Sequence, residues 1–141
     1  MTIAAILRVK GDEVVHVSPQ ASLRELIDIL TEKRIGAVPV IDGDSVVGIM
    51  SERDVMQALK RLGPAALDRP VRETMTAPPI TVDPDTSLLA GLSLMTRRRI
   101  RHLPVMQDGR MVGFVSIGDL VKARIDRIES EAEAMRAYIA T

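Results

Sequence analysis

The sequence predicts an α+β fold made of two β-α-β-β-α units packed about a pseudo-twofold axis. Two observations predict it. The first is an internal repeat: RRRIRHLPVMQDGRMVGFVSIGDL, at 97–120, restates EKRIGAVPVIDGDSVVGIMSERDV, at 32–55. Pro39 and Pro104, Gly48 and Gly113, Ser51 and Ser116, and Asp54 and Asp119 share one offset of 65 residues. The register runs without a gap from Val17/Val82 through Ser22/Ser87 to Val55/Leu120. A register of that length argues for duplication of one structural unit. The second observation is patterning, with short β-branched runs alternating with segments of three- and four-residue apolar periodicity.

Two copies are too few for a solenoid. In a chain of 141 residues each copy alone would have a marginal core. The copies are therefore expected to fold against each other, as units 1–65 and 66–141.

Each element has a local reason. Residues 3–9 are apolar with a helical pattern, broken at Lys10-Gly11-Asp12, and their repeat counterpart is 71–75. Residues 13–17 have the β-branched content of a short strand, which Ser18-Pro19 ends. Ser22 with Glu25 forms a capping box before the helical face Leu23, Leu26, Ile27 and Leu30. Gly36 is expected to close that helix. Residues 37–41 and 46–50 form a hairpin about the Asp42-Gly43-Asp44 turn, with Pro39 near an edge or strand start. Ser51 caps a helix over 52–62, which Gly63-Pro64 ends, and 65–70 is a linker.

Copy two repeats the order: a strand at 80–82, a helix capped by Ser87, and a hairpin about Asp108-Gly109. Its last helix starts at Ser116 and meets no breaker, so it runs roughly 24 residues, about 36 Å. Ile125, Ile128, Ala132, Met135 and Ile139 continue an apolar stripe along it. That stripe either folds back on its own protein or meets a second subunit.

Composition excludes several functions. Nineteen basic and nineteen acidic residues give no global pull toward nucleic acid or an anionic membrane. The absence of cysteine excludes disulfides and thiolate metal sites, and two histidines offer no zinc spacing. One Tyr, one Phe and no Trp leave no platform for stacking bases. No apolar run approaches the length of a membrane span, and no signal segment opens the chain. A cytoplasmic protein is expected. No nucleophile sits beside a base and no glycine-rich phosphate loop is present, so an enzyme is not expected. His16 is a surface or edge residue of its strand.

The strongest chemical signal is Ser51-Glu52-Arg53-Asp54 with Ser116-Ile117-Gly118-Asp119. Each places a hydroxyl and a carboxylate three residues apart in the first turn of a helix. A helix N-terminus offers free N–H groups and partial positive charge, which suits phosphate. A carboxylate beside it can accept both hydroxyls of a ribose. The same residues also make ordinary helix caps, and the sequence leaves both readings open. Basic groups gather nearby. Arg101 and His102 precede the apolar Leu103-Pro104 at a strand mouth, Arg53 lies inside the first motif, and Lys10 is a weaker phosphate candidate.

These residues resemble the CBS domain, named after cystathionine β-synthase, and the whole chain resembles a tandem CBS pair of the small stand-alone bacterial type. The patterns RIRHLPV, GFVSIGDL and GIMSERDV carry the resemblance, which spans roughly 6–62 and 71–128. It implies a regulatory sensor of adenosine nucleotides with two clefts between the lobes. Asp54 and Asp119 would hold ribose hydroxyls, with Ser51 and Ser116 near the ribose-phosphate. Backbone and apolar groups of Val15, Ala37, Val38 and Pro39 would hold adenine in one site, and those of Ile80, Leu103 and Pro104 in the other. Arg101, His102 and Arg53 would neutralise phosphate. Gly36 stands where copy two has Arg101, so the sites are not electrostatically equivalent.

The resemblance implies AMP, ADP, ATP, NAD(H) or S-adenosylmethionine as ligand, with no metal required. It also implies a homodimer and a separate, unidentified regulated protein. The competing reading is a ligand-free CBS scaffold for oligomerisation or interaction.

Overall fold

The structure, a computed structural model, describes residues 1–11 and 13–140. Asp12, the last residue of the expected helix breaker, lies outside them. Two lobes each carry one antiparallel hairpin and flanking helices. The elements are α1 (Ile3–Lys10), α2 (Leu23–Lys33), β1 (Ala37–Asp42), β2 (Ser45–Ser51), α3 (Glu52–Leu62), α4 (Leu88–Arg98), β3 (His102–Gln107), β4 (Arg110–Ser116) and α5 (Ile117–Ala140). The expected linker is instead ordered as 3-10 turns over Gly63–Asp68 and Val71–Glu73, with Ala66 and Val71 fully buried.

The caps form as their residues dictate. Ser22 and Glu25 close a reciprocal capping box on α2, and the Ser87 hydroxyl accepts the Ala90 N–H on α4. α2 does not end at Gly36. It ends at Lys33, with Arg34 in the left-handed region at φ 54°, and α4 repeats this at Arg99, also φ 54°. The N–H of Arg34 and of Arg99 bonds back to the last turn of its helix. That bond offsets a conformation costing a non-glycine residue roughly 1–2 kcal/mol.

The first strand of each unit is shorter than its β-branched content suggests. Residues 13–17 contribute one parallel bridge, Val17 to Val40, and residues 80–82 contribute one, Val82 to Val105. The Val17 N–H bonds the Pro39 carbonyl, and the Ile41 N–H bonds Val17. Extending that parallel ladder by one step would need an N–H from Pro39, which has none. Pro104 stops the second ladder in the same way, with Val82 donating to its carbonyl and Met106 donating to Val82.

Each lobe has its own core. Leu23, Leu26, Val38, Val40, Met50 and Val71 fill the first, and Leu88, Met95, Leu103, Val105, Val115 and Leu120 the second. The second also takes Ile3 and Ile6 of α1. The segment before each unit thus packs on the other copy: α1 on copy two and 71–75 on copy one. Ile3 and Ala4 donate to Thr86 and Pro84 as Val71 and Arg72 donate to Ala21 and Pro19. Room for α1 comes from Gly91, where an added Cβ would lie 3.0 Å from Leu120 and 3.4 Å from Ile3. The repeat partner of Gly91 is the large Leu26.

Candidate functional site

The two Ser-x-x-Asp motifs are complete caps of α3 and α5. Each serine hydroxyl accepts the aspartate N–H, at 3.3 Å for Ser51 and 3.1 Å for Ser116. Each aspartate Oδ2 accepts the serine N–H at 2.8 Å. The surroundings then diverge. Asp54 is only 7% exposed, and its Oδ1 accepts the Thr76 hydroxyl at 2.8 Å. Its Oδ2 also accepts the Ser51 hydroxyl at 2.9 Å. The first-turn carboxylate of Asp54 is therefore buried, with its oxygens engaged by Ser51 and Thr76.

Asp119 is different. Its side chain is 27% exposed and its Oδ2 accepts the Lys10 ammonium at 2.6 Å. Lys10 also donates to the Phe114 carbonyl at 2.7 Å. Burial alone would raise the Asp119 pKa, but Lys10 and the Ser116 N–H and hydroxyl outweigh it and hold the carboxyl below its ordinary 3.8.

His102 begins β3 beside this group and stacks on Phe114, with ring centroids 5.7 Å apart at an interplanar angle of 14°. A Cβ on Gly36 would lie 3.5 Å from the His102 ring, so the imidazole sits at the boundary with the first lobe. Burial holds His102 below its ordinary 6.5, the charges of Lys10 and Arg101 push the same way, and Asp119 opposes them. Arg53 crosses the same boundary and donates to the Arg99 carbonyl at 3.4 Å. Arg101 is exposed at the rim, with its carbonyl tied to the Ile117 N–H at 2.7 Å. Lys10, Ser116 and Asp119 are thus in direct contact, the charges of Lys10, Asp119 and Arg101 act on His102, and Arg53 reaches from the first lobe to Arg99.

The expected adenine walls divide. Val38 and Leu103 turn their side chains into the lobe cores, which leaves their backbone for the expected contact. Strand alternation puts Ala37, Pro39 and Pro104 on the opposite face, where they are buried, while Ile80 is half-buried and Val15 exposed. Two open grooves lie elsewhere. One of about 440 Å³ runs over Val82, Thr86, Leu94 and Arg97, and one of about 230 Å³ over Ile27, Leu30, Val55 and Met56. Neither includes Asp54 or Asp119.

Thr76 and Phe114 escaped the sequence reading. Thr76 lies 22 residues from Asp54, where no spacing connects them. Phe114 reads as one more apolar strand residue, and only the fold shows its ring against His102 and its carbonyl on Lys10.

Comparison with known proteins agrees with this architecture. A family model described as CBS domain matches residues 8–61 and 71–126. The crystal structure of the CBS-domain containing protein ATU1752 from Agrobacterium tumefaciens is 39% identical with a TM-score of 0.84, covering 87% of this chain and 92% of that one. CBSX2, solved in complex with AMP, is 27% identical with a TM-score of 0.75, over 89% of this chain and 96% of that one. The CBS domain pair of protein MJ0100, solved with 5-methylthioadenosine and S-adenosyl-L-methionine, is 25% identical with a TM-score of 0.76, over 87% and 98%.

Proposed function

The chain belongs to the CBS domain family, and on that premise we propose that it is a regulatory module that binds an adenosine ligand between its lobes and reports occupancy to a separate protein. The observation that carries the reading is the unequal state of the two aspartates. Both aspartates accept their serine N–H, but Asp54 is buried and also holds Thr76, whereas Asp119 is part-exposed and its further partner is the long Lys10 side chain, which a ligand can displace. We therefore assign the principal site to Asp119. Its carboxylate and Ser116 take the ribose, Lys10 moves from carboxylate to phosphate, and Arg101, His102 and Arg53 complete the phosphate rim. Ala37, Pro39, Ile80 and Pro104 supply apolar surface for adenine, and Val15 lies outside the buried set.

AMP, ADP, ATP and NAD(H) all carry the adenosine and phosphate this arrangement addresses. S-adenosylmethionine shares the adenosine and lacks the phosphate. The reading includes units 1–65 and 66–141, a homodimer and an output without catalysis. A metal is not part of it; among the described residues no three His, Cys, Asp or Glu side chains gather as a metal cluster.

The scaffold reading keeps one specific support: the serine and aspartate of both motifs are satisfied as helix caps. Thermal unfolding separates the two. A ligand that binds only the folded state adds about 2.7 kcal/mol at 100 times its dissociation constant. Melting with AMP, ATP, NADH and S-adenosylmethionine should rise for at least one of them in the wild type. No rise with any of the four favours the scaffold.

A further inference from the structure

The distal half of α5 leaves its own lobe. Leu120 is fully buried and Ala123 packs on the second core, but Val121 is 42% exposed, Ile125 49%, Ile128 48%, Met135 60% and Ile139 75%. With the half-buried Ala132, these residues alternate four and three apart, giving a heptad seam from Val121 to Ile139. Reading Ile125, Ala132 and Ile139 as a positions and Val121, Ile128 and Met135 as d positions fixes the flanks. Arg124 and Glu131 then stand at g, and Glu129 and Arg136 at e. The expectation that this stripe folds back on its own protein is not met.

The flanking charges choose the partner and its direction. In a parallel, in-register pair a g residue faces the e residue five places on in the other helix. Arg124 then faces Glu129 and Glu131 faces Arg136, each twice by symmetry, and every contact is attractive. In an antiparallel pair the g positions face g and the e positions face e, which about the centre of the seam sets Glu131 against Glu131 and Lys122 near Arg136. Like charges there cost what the parallel pairs gain.

We propose that the distal part of α5 forms a parallel, in-register, two-stranded coiled coil with a second copy of this chain. The proposal rests on the homodimer of the preceding reading and adds its seam and direction; it does not depend on the adenosine ligand. Ala132 at a central a position keeps the coil weak alone. The seam spans about 28 Å, fewer than three heptads, so it acts as a clasp on the lobes and not as an independent dimer.

The chain has no cysteine, so single-cysteine cross-linking of the full-length protein reads the geometry directly. In the parallel coil Met135→Cys places its two copies within disulfide range, about 5.5–6 Å between Cα atoms. Oxidation should convert the protein to a covalent dimer. In an antiparallel coil, or with separated tails, the two cysteines stay far apart and no covalent dimer forms. A dimer by sedimentation that fails to cross-link overturns the coiled coil and leaves the dimer standing; a monomer overturns both. The charges are tested with Glu131→Arg, which should weaken dimerisation about tenfold by facing Arg136 with a like charge. Adding Arg136→Glu to it should restore wild-type affinity. Failure of the double variant to recover contradicts the assigned pairing even if the cysteines cross-link.

Discussion

Lys10 and Asp119 form a 2.6 Å ion pair that ties the end of α1 to the first turn of α5, although 109 residues separate them. The same ammonium reaches the Phe114 carbonyl on β4. In copy one the corresponding carbonyl, that of Ile49, accepts the backbone N–H of Thr76, and the corresponding carboxylate accepts the Thr76 hydroxyl. One lysine side chain therefore replaces two fixed donors. A flexible donor can leave its acceptor where a backbone N–H cannot, and this difference is the basis for proposing the Asp119 side as the responsive one.

Removing Lys10 should shift two titrations in the same direction. Lys10→Met takes the partner from Asp119 and a like charge from the surroundings of His102, so both pKa values should rise. NMR titration of the His102 ring and the Asp119 carboxyl reads both. Unchanged values in the variant would contradict the electrostatic coupling.

Stability should rise with pH through two windows. His102 titrates below 6.5 in the folded protein, so between its folded pKa and 6.5 the unfolded chain binds the extra proton and acidification destabilises. Asp119 titrates below 3.8 in the folded protein, so its contribution is complete above 3.8 and lost as pH falls through the folded value. His102→Gln should flatten only the upper window, measured by urea unfolding at a series of pH values. A slope in that window that survives the substitution assigns it to another group.

Asp54 should behave as a structural residue. Asp54→Ala removes a buried carboxylate that accepts the Thr76 hydroxyl and the Ser51 N–H in part-buried hydrogen bonds, at a cost of about 1–2 kcal/mol. The first-turn charge of Asp119 is worth about 0.3–1 kcal/mol to its helix, and Asp119→Asn should cost no more than that. Equal losses in chemical denaturation would contradict the asymmetry between the two motifs.

Arg101 should matter in proportion to phosphate. Its side chain is exposed, and its charge acts on His102. Arg101→Ala should leave adenosine affinity within about twofold and weaken AMP, then ATP, progressively, as charge-assisted contacts worth roughly 1.5–3 kcal/mol are lost. Equal weakening for adenosine and ATP in calorimetric titration would move Arg101 out of the phosphate role.

The repeat made most of the fold legible, because caps, turns and apolar faces recur at matching positions. Ser22 with Glu25, Ser51 with Asp54 and Ser87 with Ala90 form as local chemistry dictates. What stayed hidden depends on contacts distant in sequence. The first strands shrink to single bridges because Pro39 and Pro104, some 22 residues downstream of Val17 and Val82, supply no N–H. The segment before each copy also follows a different offset. Ile3 takes the place of Val71 and Leu7 that of Met75, since a Cβ on Gly113 would overlap Leu7 as one on Gly48 would overlap Met75. Three extra residues therefore lie between Leu7 and Val17, and Lys10 stands among them. A fixed register of 65 hides that insertion, and with it the reason Asp119 has a lysine where Asp54 has a threonine.

The central claim is that Asp119, and not Asp54, receives the ribose. Calorimetric titration of AMP into Asp119→Asn and Asp54→Asn, each confirmed folded, tests it most directly. Asp119→Asn should weaken AMP by about ten- to a hundredfold, while Asp54→Asn leaves the affinity within about threefold. AMP binding to Asp119→Asn as tightly as to wild type would contradict the account and leave both motifs as helix caps.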